Sequence, residues 1–184
     1  RYRGYSIYGP DSATVVNYDR GDGDVIGTEW RGHWAPAPRH VVTFGAVAEL
    51  HPRIALENYD LDPYYLYIAD RSRSSVLAGY VQDERRFGAR TILTAGARVD
   101  RYPDFEPVLS PRLDLVVRVT PQLTWKLLAG SAFRAPSHFE TDYAFAPVIL
   151  NPVLGPERVT TLESELARTT GPVTLTLSGY QNFV

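Results

Sequence analysis

A chain of 184 residues, 44% hydrophobic and 22% charged, is long enough for one sizeable core. The absence of cysteine excludes a disulfide framework and a thiolate metal site, and a net charge of -2 with scattered Lys and Arg excludes a basic footprint for nucleic acid. No stretch reaches the roughly 18 consecutive apolar residues of a transmembrane helix, whereas a β-barrel stays open, because its strands need one apolar face over only about 9 to 11 residues.

Twelve Tyr, three Trp, 14 Gly and 14 Pro favour strands and turns. In chain order, weak alternation covers residues 1–8, and residues 25–35 set Ile26, Trp30 and Trp34 opposite Glu29, Arg31 and His33. Residues 40–50 alternate cleanly, with Val42, Phe44, Ala46, Ala48 and Leu50 against Thr43, Gly45 and Glu49. Residues 74–85 form a weaker strand. Thr91, Leu93, Ala95, Ala97 and Val99 oppose Thr94, Gly96, Arg98 and Asp100 in 90–101. Leu113, Leu115, Val117 and Val119 oppose Asp114 and Arg118, and Leu123, Trp125, Leu127 and Ala129 oppose Thr124, Lys126 and Gly130. Residues 161–169 are weak; Val173, Leu175 and Leu177 against Thr174, Thr176 and Ser178 close the series. The expectation is an all-β antiparallel meander of about nine strands, each of bilayer-crossing length.

Short links at 35–39, 86–89, 120–122 and 170–172 alternate with expected long ones at 9–24, 51–73, 102–110 and 134–160. Short turns on one side and long loops on the other describe an outer-membrane barrel, and Trp30, Trp34, Trp125, Tyr102 and Phe133 fall toward strand ends, as an aromatic girdle would. A soluble β-sandwich alternates in the same way but seldom carries such long loops. No repeat, low-complexity tract or linker divides the chain. Nine strands are an odd number for a closed bacterial barrel, so the chain reads as part of something larger.

Ser110-Pro111-Arg112 followed by Phe133-Arg134-Ala135-Pro136 resembles TonB-dependent receptors, in which a strand opening with Ser-Pro-Arg precedes one ending in Phe-Arg-Ala-Pro. Asn151-Pro152-Val153-Leu154-Gly155-Pro156-Glu157, with Glu163 and Glu165 beyond it, is similar to the family's Asn-Pro-x-Leu-x-Pro-Glu segment and the strand after it. Gln82-Asp83-Glu84 and Gly96-Ala97-Arg98-Val99-Asp100 look like two earlier strands of the same barrel. Nothing resembles the plug, the TonB box or the terminal aromatic strand. The resemblance implies residues 1–184 as part of a large transmembrane barrel in the outer membrane of a Gram-negative bacterium, with plug and terminal strands absent. It further implies uptake of a scarce nutrient of the ferric siderophore, haem or cobalamin class, energised by the TonB complex through the plug. Lipid and a small molecule or metal chelate would be the partners. No cofactor is implied, the ligand's metal being cargo. A passive diffusion channel and the soluble β-sandwich binding module are the other readings.

On this reading Arg98, Asp100, Arg118, Lys126 and Glu163 point into the lumen, since Arg or Lys on the lipid face costs about 2 to 4 kcal/mol at mid-bilayer. They either pair with a plug, line a solute path or are simply hydrated. Pro111 is expected to begin a strand and Pro136 to end one. Tyr59, Tyr64, Tyr65 and Tyr67 in one expected loop, and His138, Phe139, Tyr143 and Phe145 in another, either grip a substrate or pack the loops upon themselves. Catalysis has little support. There is no Gly-x-Ser-x-Gly elbow or cysteine nucleophile, and His33, His40, His51 and His138 are isolated, His138 being only a sequence neighbour of Ser137. No metal site is expected, because Asp19, Asp22 and Asp24 lack the distal Glu of a calcium loop. Arg20-Gly21-Asp22 reads as a loop.

Overall fold

A computed structural model describes residues 1–9, 14–143 and 154–184. Nine strands follow one another as β1 Tyr2–Tyr8, β2 Val15–Ala37, β3 His40–Leu61, β4 Tyr64–Phe87, β5 Thr91–Arg101, β6 Val108–Thr120, β7 Leu123–Arg134, β8 Glu157–Thr170 and β9 Val173–Phe183, with one short helix, α1 His138–Asp142, after β7. All nine belong to a single sheet in chain order, an antiparallel meander, so the expected architecture is borne out. Turns at 38–39, 88–90, 121–122 and 171–172 connect neighbours at one end. The left-handed backbone such tight turns require falls to Gly88 (φ 63°) and Gly171 (φ 59°) but to Arg39 (φ 68°) in the first.

Three strands depart from expectation. β2, β3 and β4 run 23, 22 and 24 residues, about twice a membrane crossing. The long connections anticipated at 9–24 and 51–73 are therefore mostly strand, and only residues 62–63 join β3 to β4. The cause lies in the side chains. Residues 15–24 and 53–67 put Asn, Asp, Arg and Tyr on both faces, so pairing continues where hydrophobic alternation stops. Pro111 lies inside β6, not at its start, and the β6–β7 ladder has its first rung at Arg112. Pro136 does follow the end of β7.

The chain falls into two compact units. One comprises residues 1–28, 48–76 and 135–156; the other comprises 29–47, 77–134 and 157–184. In the second unit, register fixes which side chains share a face, because directly opposed residues of an antiparallel pair point the same way. Val117, Trp125, Leu166 and Leu177 form one row across four strands; Ala95, Leu113, Ala129 and Leu162 form another. On the opposite face run Gln82, Gly96, Arg112, Gly130, Thr161 and Asn182. Charged members of the apolar face, namely Asp83, Arg85, Arg101, Arg158 and Arg168, lie near strand ends.

Burial is reversed from that of a soluble sheet. Leu113 is 50% exposed, Leu162 47% and Leu177 74%, while Asp100 on the polar face is 3% exposed. Among the described residues no second sheet covers the apolar face, which overturns the sandwich reading. A continuous exposed apolar face in water would aggregate; against hydrocarbon it is satisfied.

Leu115→Arg in the full-length protein places a cation on that face and should sharply reduce heat-modifiable, membrane-assembled barrel. Asp114→Asn, one residue along on the polar face, should assemble near wild-type yield. Equal tolerance of the two on a semi-native gel would refute the face assignment.

Candidate functional site

The polar face of the second unit is an array of ion pairs built by strand alternation. Residues two apart share a face, and Arg98 uses that spacing to place its Nη2 2.7 Å and its Nε 2.9 Å from the Asp100 carboxylate. Arg112 reaches Asp114 at 2.6 Å in the same way. Across β7 and β8, Lys126 opposes Glu165 and bonds it at 2.6 Å. Tyr80 donates to Glu29 at 2.7 Å, and Arg31 donates to both. Arg98, Asp100, Arg118, Lys126 and Glu163 all fall on this face. Glu163 has no hydrogen-bond or ion-pair partner among the described residues, and with Tyr80, Arg98, Arg112 and Asp114 it borders a trough of about 510 Å³ floored by Gly96, Gly130 and Ala132.

The motif residues acquire a physical role at the other end of β7. Arg134 and Glu157 form the first β7–β8 rung, and the guanidinium grips the carboxylate through Nη2 at 2.9 Å and Nε at 3.1 Å. That clamp closes the base of the segment beginning at Ala135 and Pro136. Beside it Phe133 meets Tyr102 edge-on, with centroids 6.0 Å apart. Ser110 and Arg112 are on the polar face. Asn151 and Pro152 lie outside the described residues, as does the substrate candidate Phe145; Pro156 directly precedes β8.

The first unit carries a network that the sequence reading did not single out. Asn17 Nδ2 donates to Asp60 Oδ1 at 2.9 Å and to Asn58 Oδ1 at 3.0 Å, Tyr67 Oη donates to Asp60 Oδ2 at 2.7 Å, and Tyr8 Oη donates to the same Oδ2. Asn58 Nδ2 donates to Asp19, as does the hydroxyl of Tyr143, which arrives from the segment after β7. Asn58 and Asp60 are 3% and 5% exposed. The signal was an Asn-x-Asp repeat, Asn17/Asp19 and Asn58/Asp60, whose period of two marks a polar strand face as surely as apolar alternation marks a lipid one.

Placement of the tyrosine candidates is corrected accordingly. Tyr59, Tyr64, Tyr65 and Tyr67 sit on β3 and β4, not in a loop, and alternation divides them. Tyr65 and Tyr67 share the network's face, with centroids 4.8 Å apart. Tyr59 packs on the other face against Tyr18 at 5.1 Å and Tyr64 at 5.7 Å, and Tyr18 against Tyr5 at 5.0 Å. That second face also carries Arg20 with Asp22 and Arg53 with Asp24. Residues 15–24 and 53–67 of this unit thus carry polar side chains on both faces. Ser137 and His138 are used in building α1. The Ser137 backbone N–H donates to Glu140 at 2.8 Å and its hydroxyl accepts from the Glu140 N–H, a capping box, while His138 Nδ1 lies 3.1 Å from Asp142.

Electrostatically the network is acidic and its phenols are neutral. Burial alone would raise the Asp60 carboxyl, but hydrogen bonds from Tyr8, Asn17 and Tyr67 outweigh it and hold the group below its ordinary value of 3.8. The hydrogen bond to Asp60, then the one to Tyr67, pushes the Tyr8 hydroxyl up; burial followed by Asp19 does the same for Tyr143. The unit as a whole has six arginines against eleven acidic residues, a net charge of -5.

A carboxyl lowered by folding contributes stability above its ordinary pKa, which is lost as pH falls through the lowered value. The protection of amides at residues 54–60, measured relative to their unfolded exchange rates, should therefore hold down to about pH 4 and fall below it. Tyr8→Phe with Tyr67→Phe should move that fall to higher pH; an unchanged profile would contradict the assignment of these donors.

Against known proteins, the whole chain, residues 1–184, matches the family model described as TonB dependent receptor-like, beta-barrel. No curated protein sequence matches. Among solved structures, the chain is similar to the copper transporter OprC (15% identity, TM-score 0.73), covering 91% of this chain and 30% of that one. It is also similar to the siderophore receptor PirA from Acinetobacter baumannii (16%, TM-score 0.67, 92% and 27%) and to the ferric enterobactin receptor PfeA (16%, TM-score 0.69, 92% and 27%). The chain thus spans under a third of the length of these proteins, and at such identity they show the fold alone. With its full length matched to the barrel and its apolar and polar faces arranged accordingly, the chain belongs to the TonB-dependent receptor-like β-barrel family.

Proposed function

We propose that this chain is part of the wall and ligand-gathering rim of an outer-membrane receptor that takes up a scarce small molecule or metal chelate with TonB-coupled energy. The carrying observation is the reversed burial of the second unit, which fits a lipid-facing wall around a charged interior, in a chain whose whole length matches the family. Arg98, Asp100, Arg118, Lys126 and Glu163 then face the lumen, and a plug belongs to the full-length protein. Members of this family are outer-membrane proteins of Gram-negative bacteria, and that location is proposed for this one.

Capture is assigned to the network joining Tyr8, Asn17, Asp19, Asn58, Asp60, Tyr67 and Tyr143, with Tyr65 beside it. It offers phenol and amide hydrogen bonds, aromatic faces and two carboxylates with no cation bonded to them among the described residues. Such a surface favours a ligand rich in hydroxyl or amide groups and without net negative charge, because an anion would meet the unit's charge of -5. This supports the siderophore, haem or cobalamin class only for those of its members that are neutral or cationic. Tyr64, on the other face, is withdrawn from the capture site, and His138 is assigned to holding α1.

In a strain whose only uptake route is the full-length protein, growth on scarce metal should be rescued by a neutral or cationic chelate and abolished by dissipating the proton gradient, while binding to whole cells survives. Tyr67→Phe with Tyr143→Phe should weaken that binding about tenfold, the worth of one to two hydrogen bonds. Uptake that persists without the gradient would identify a passive channel and contradict the proposal.

A further inference from the structure

At the short-turn end of the second unit, a cleft of about 330 Å³ is lined by Arg39, Arg86, Arg90 and Arg118, together with the hydroxyl-bearing Thr91 and Thr124. Backbone bonds fix the arginines as two couples. The Arg86 N–H donates to the Arg39 carbonyl at 2.9 Å, and the Arg118 N–H donates to the Arg90 carbonyl at 2.8 Å. Four arginines, from β4, β6 and the turns before β3 and β5, therefore line one cleft. One of the four is compensated: Arg86 Nε donates to Glu84 at 3.1 Å. The side chains of Arg39, Arg90 and Arg118 have no hydrogen bond or ion pair among the described residues. Arg39 moreover occupies a left-handed turn position (φ 68°) of the kind that Gly88 and Gly171 fill in two of the other turns. A side chain is retained there against backbone preference, and it is a cation lining this cleft.

We propose that this cleft is an oxyanion site that takes one phosphate group. Guanidinium forks match the paired oxygens of a tetrahedral phosphate, and several of them converging supply both the charge and the donors that such a group requires. Thr124, which opposes Arg118 on the polar face, adds a hydroxyl donor. The chemistry is that of a phosphate ester or of free inorganic phosphate, so the occupant is either the headgroup of an anionic phospholipid or a soluble ion. The site is independent of the acidic capture network and of the identity of any cargo.

The test uses the full-length protein in neutral detergent, titrated with inorganic phosphate and, at matched ionic strength, with sodium chloride. Phosphate should give a saturable calorimetric signal and raise the melting temperature beyond chloride. Arg90→Gln with Arg118→Gln should weaken phosphate at least tenfold, whereas Arg158→Gln, on the apolar face, should leave it unchanged. Arg39→Gly guards against a folding artefact, since it relieves the left-handed turn: it should melt no lower than wild type yet bind phosphate more weakly. Equal response to phosphate and chloride, or undiminished phosphate binding in both the double variant and Arg39→Gly, would overturn the proposal. Repeating the titration in phosphatidylglycerol and phosphatidylcholine nanodiscs identifies the source. Loss of apparent phosphate affinity only in phosphatidylglycerol upholds the site with a lipid headgroup as occupant, and equal affinity in both upholds it with a soluble ion.

Discussion

Antiparallel backbone pairing with strict two-residue alternation is the constraint on which everything else here depends. It pairs backbone N–H and C=O groups within the sheet, without which no strand could face hydrocarbon, and it sends successive side chains to opposite faces. Given that geometry, Leu113 and Asp114 cannot share an environment. The sheet resolves the difference by exposing leucine and enclosing aspartate, the reverse of a water-soluble domain.

The same alternation organises the charges. Arg98 with Asp100 and Arg112 with Asp114 are i,i+2 pairs on single strands, while Lys126 with Glu165 and Arg134 with Glu157 are opposed pairs between strands. These pairs compensate one another locally and leave Glu163 and Arg118 as uncompensated charges of the polar face among the described residues. Charge is also distributed unequally between the units: the first is acidic, and the second has 13 basic residues against 10 acidic ones. On the proposed reading, strand ends carry the groups that meet other molecules and strand middles carry the groups that cross the membrane.

Legibility in the sequence followed the same division. β5, β6, β7 and β9 alternate leucine, valine and alanine with polar residues, so their existence and faces could be read directly, as could the turns marked by Gly88, Pro121 and Gly171. The outer halves of β2, β3 and β4 could not, because a strand wetted on both faces has no hydrophobic period. Asn17/Asp19 and Asn58/Asp60 show that a polar period was there to be found. Tyr64 and Tyr67 looked like members of one loop for the same reason, and alternation puts them on opposite faces. Helix α1 was missed although Ser137 and Glu140 stand at capping-box spacing; five residues without an apolar stripe gave the helix no other signature.

The central claim is that one face of this sheet meets lipid and the other an aqueous interior. Because the chain contains no cysteine, single cysteines at positions 112 to 117 along β6 can be read without background from this segment, by reaction of the full-length protein in intact membranes with a charged, water-soluble maleimide. The account predicts labelling that alternates, with positions 112, 114 and 116 reacting and 113, 115 and 117 protected. Uniform labelling, or protection in a block without a period of two, would contradict it.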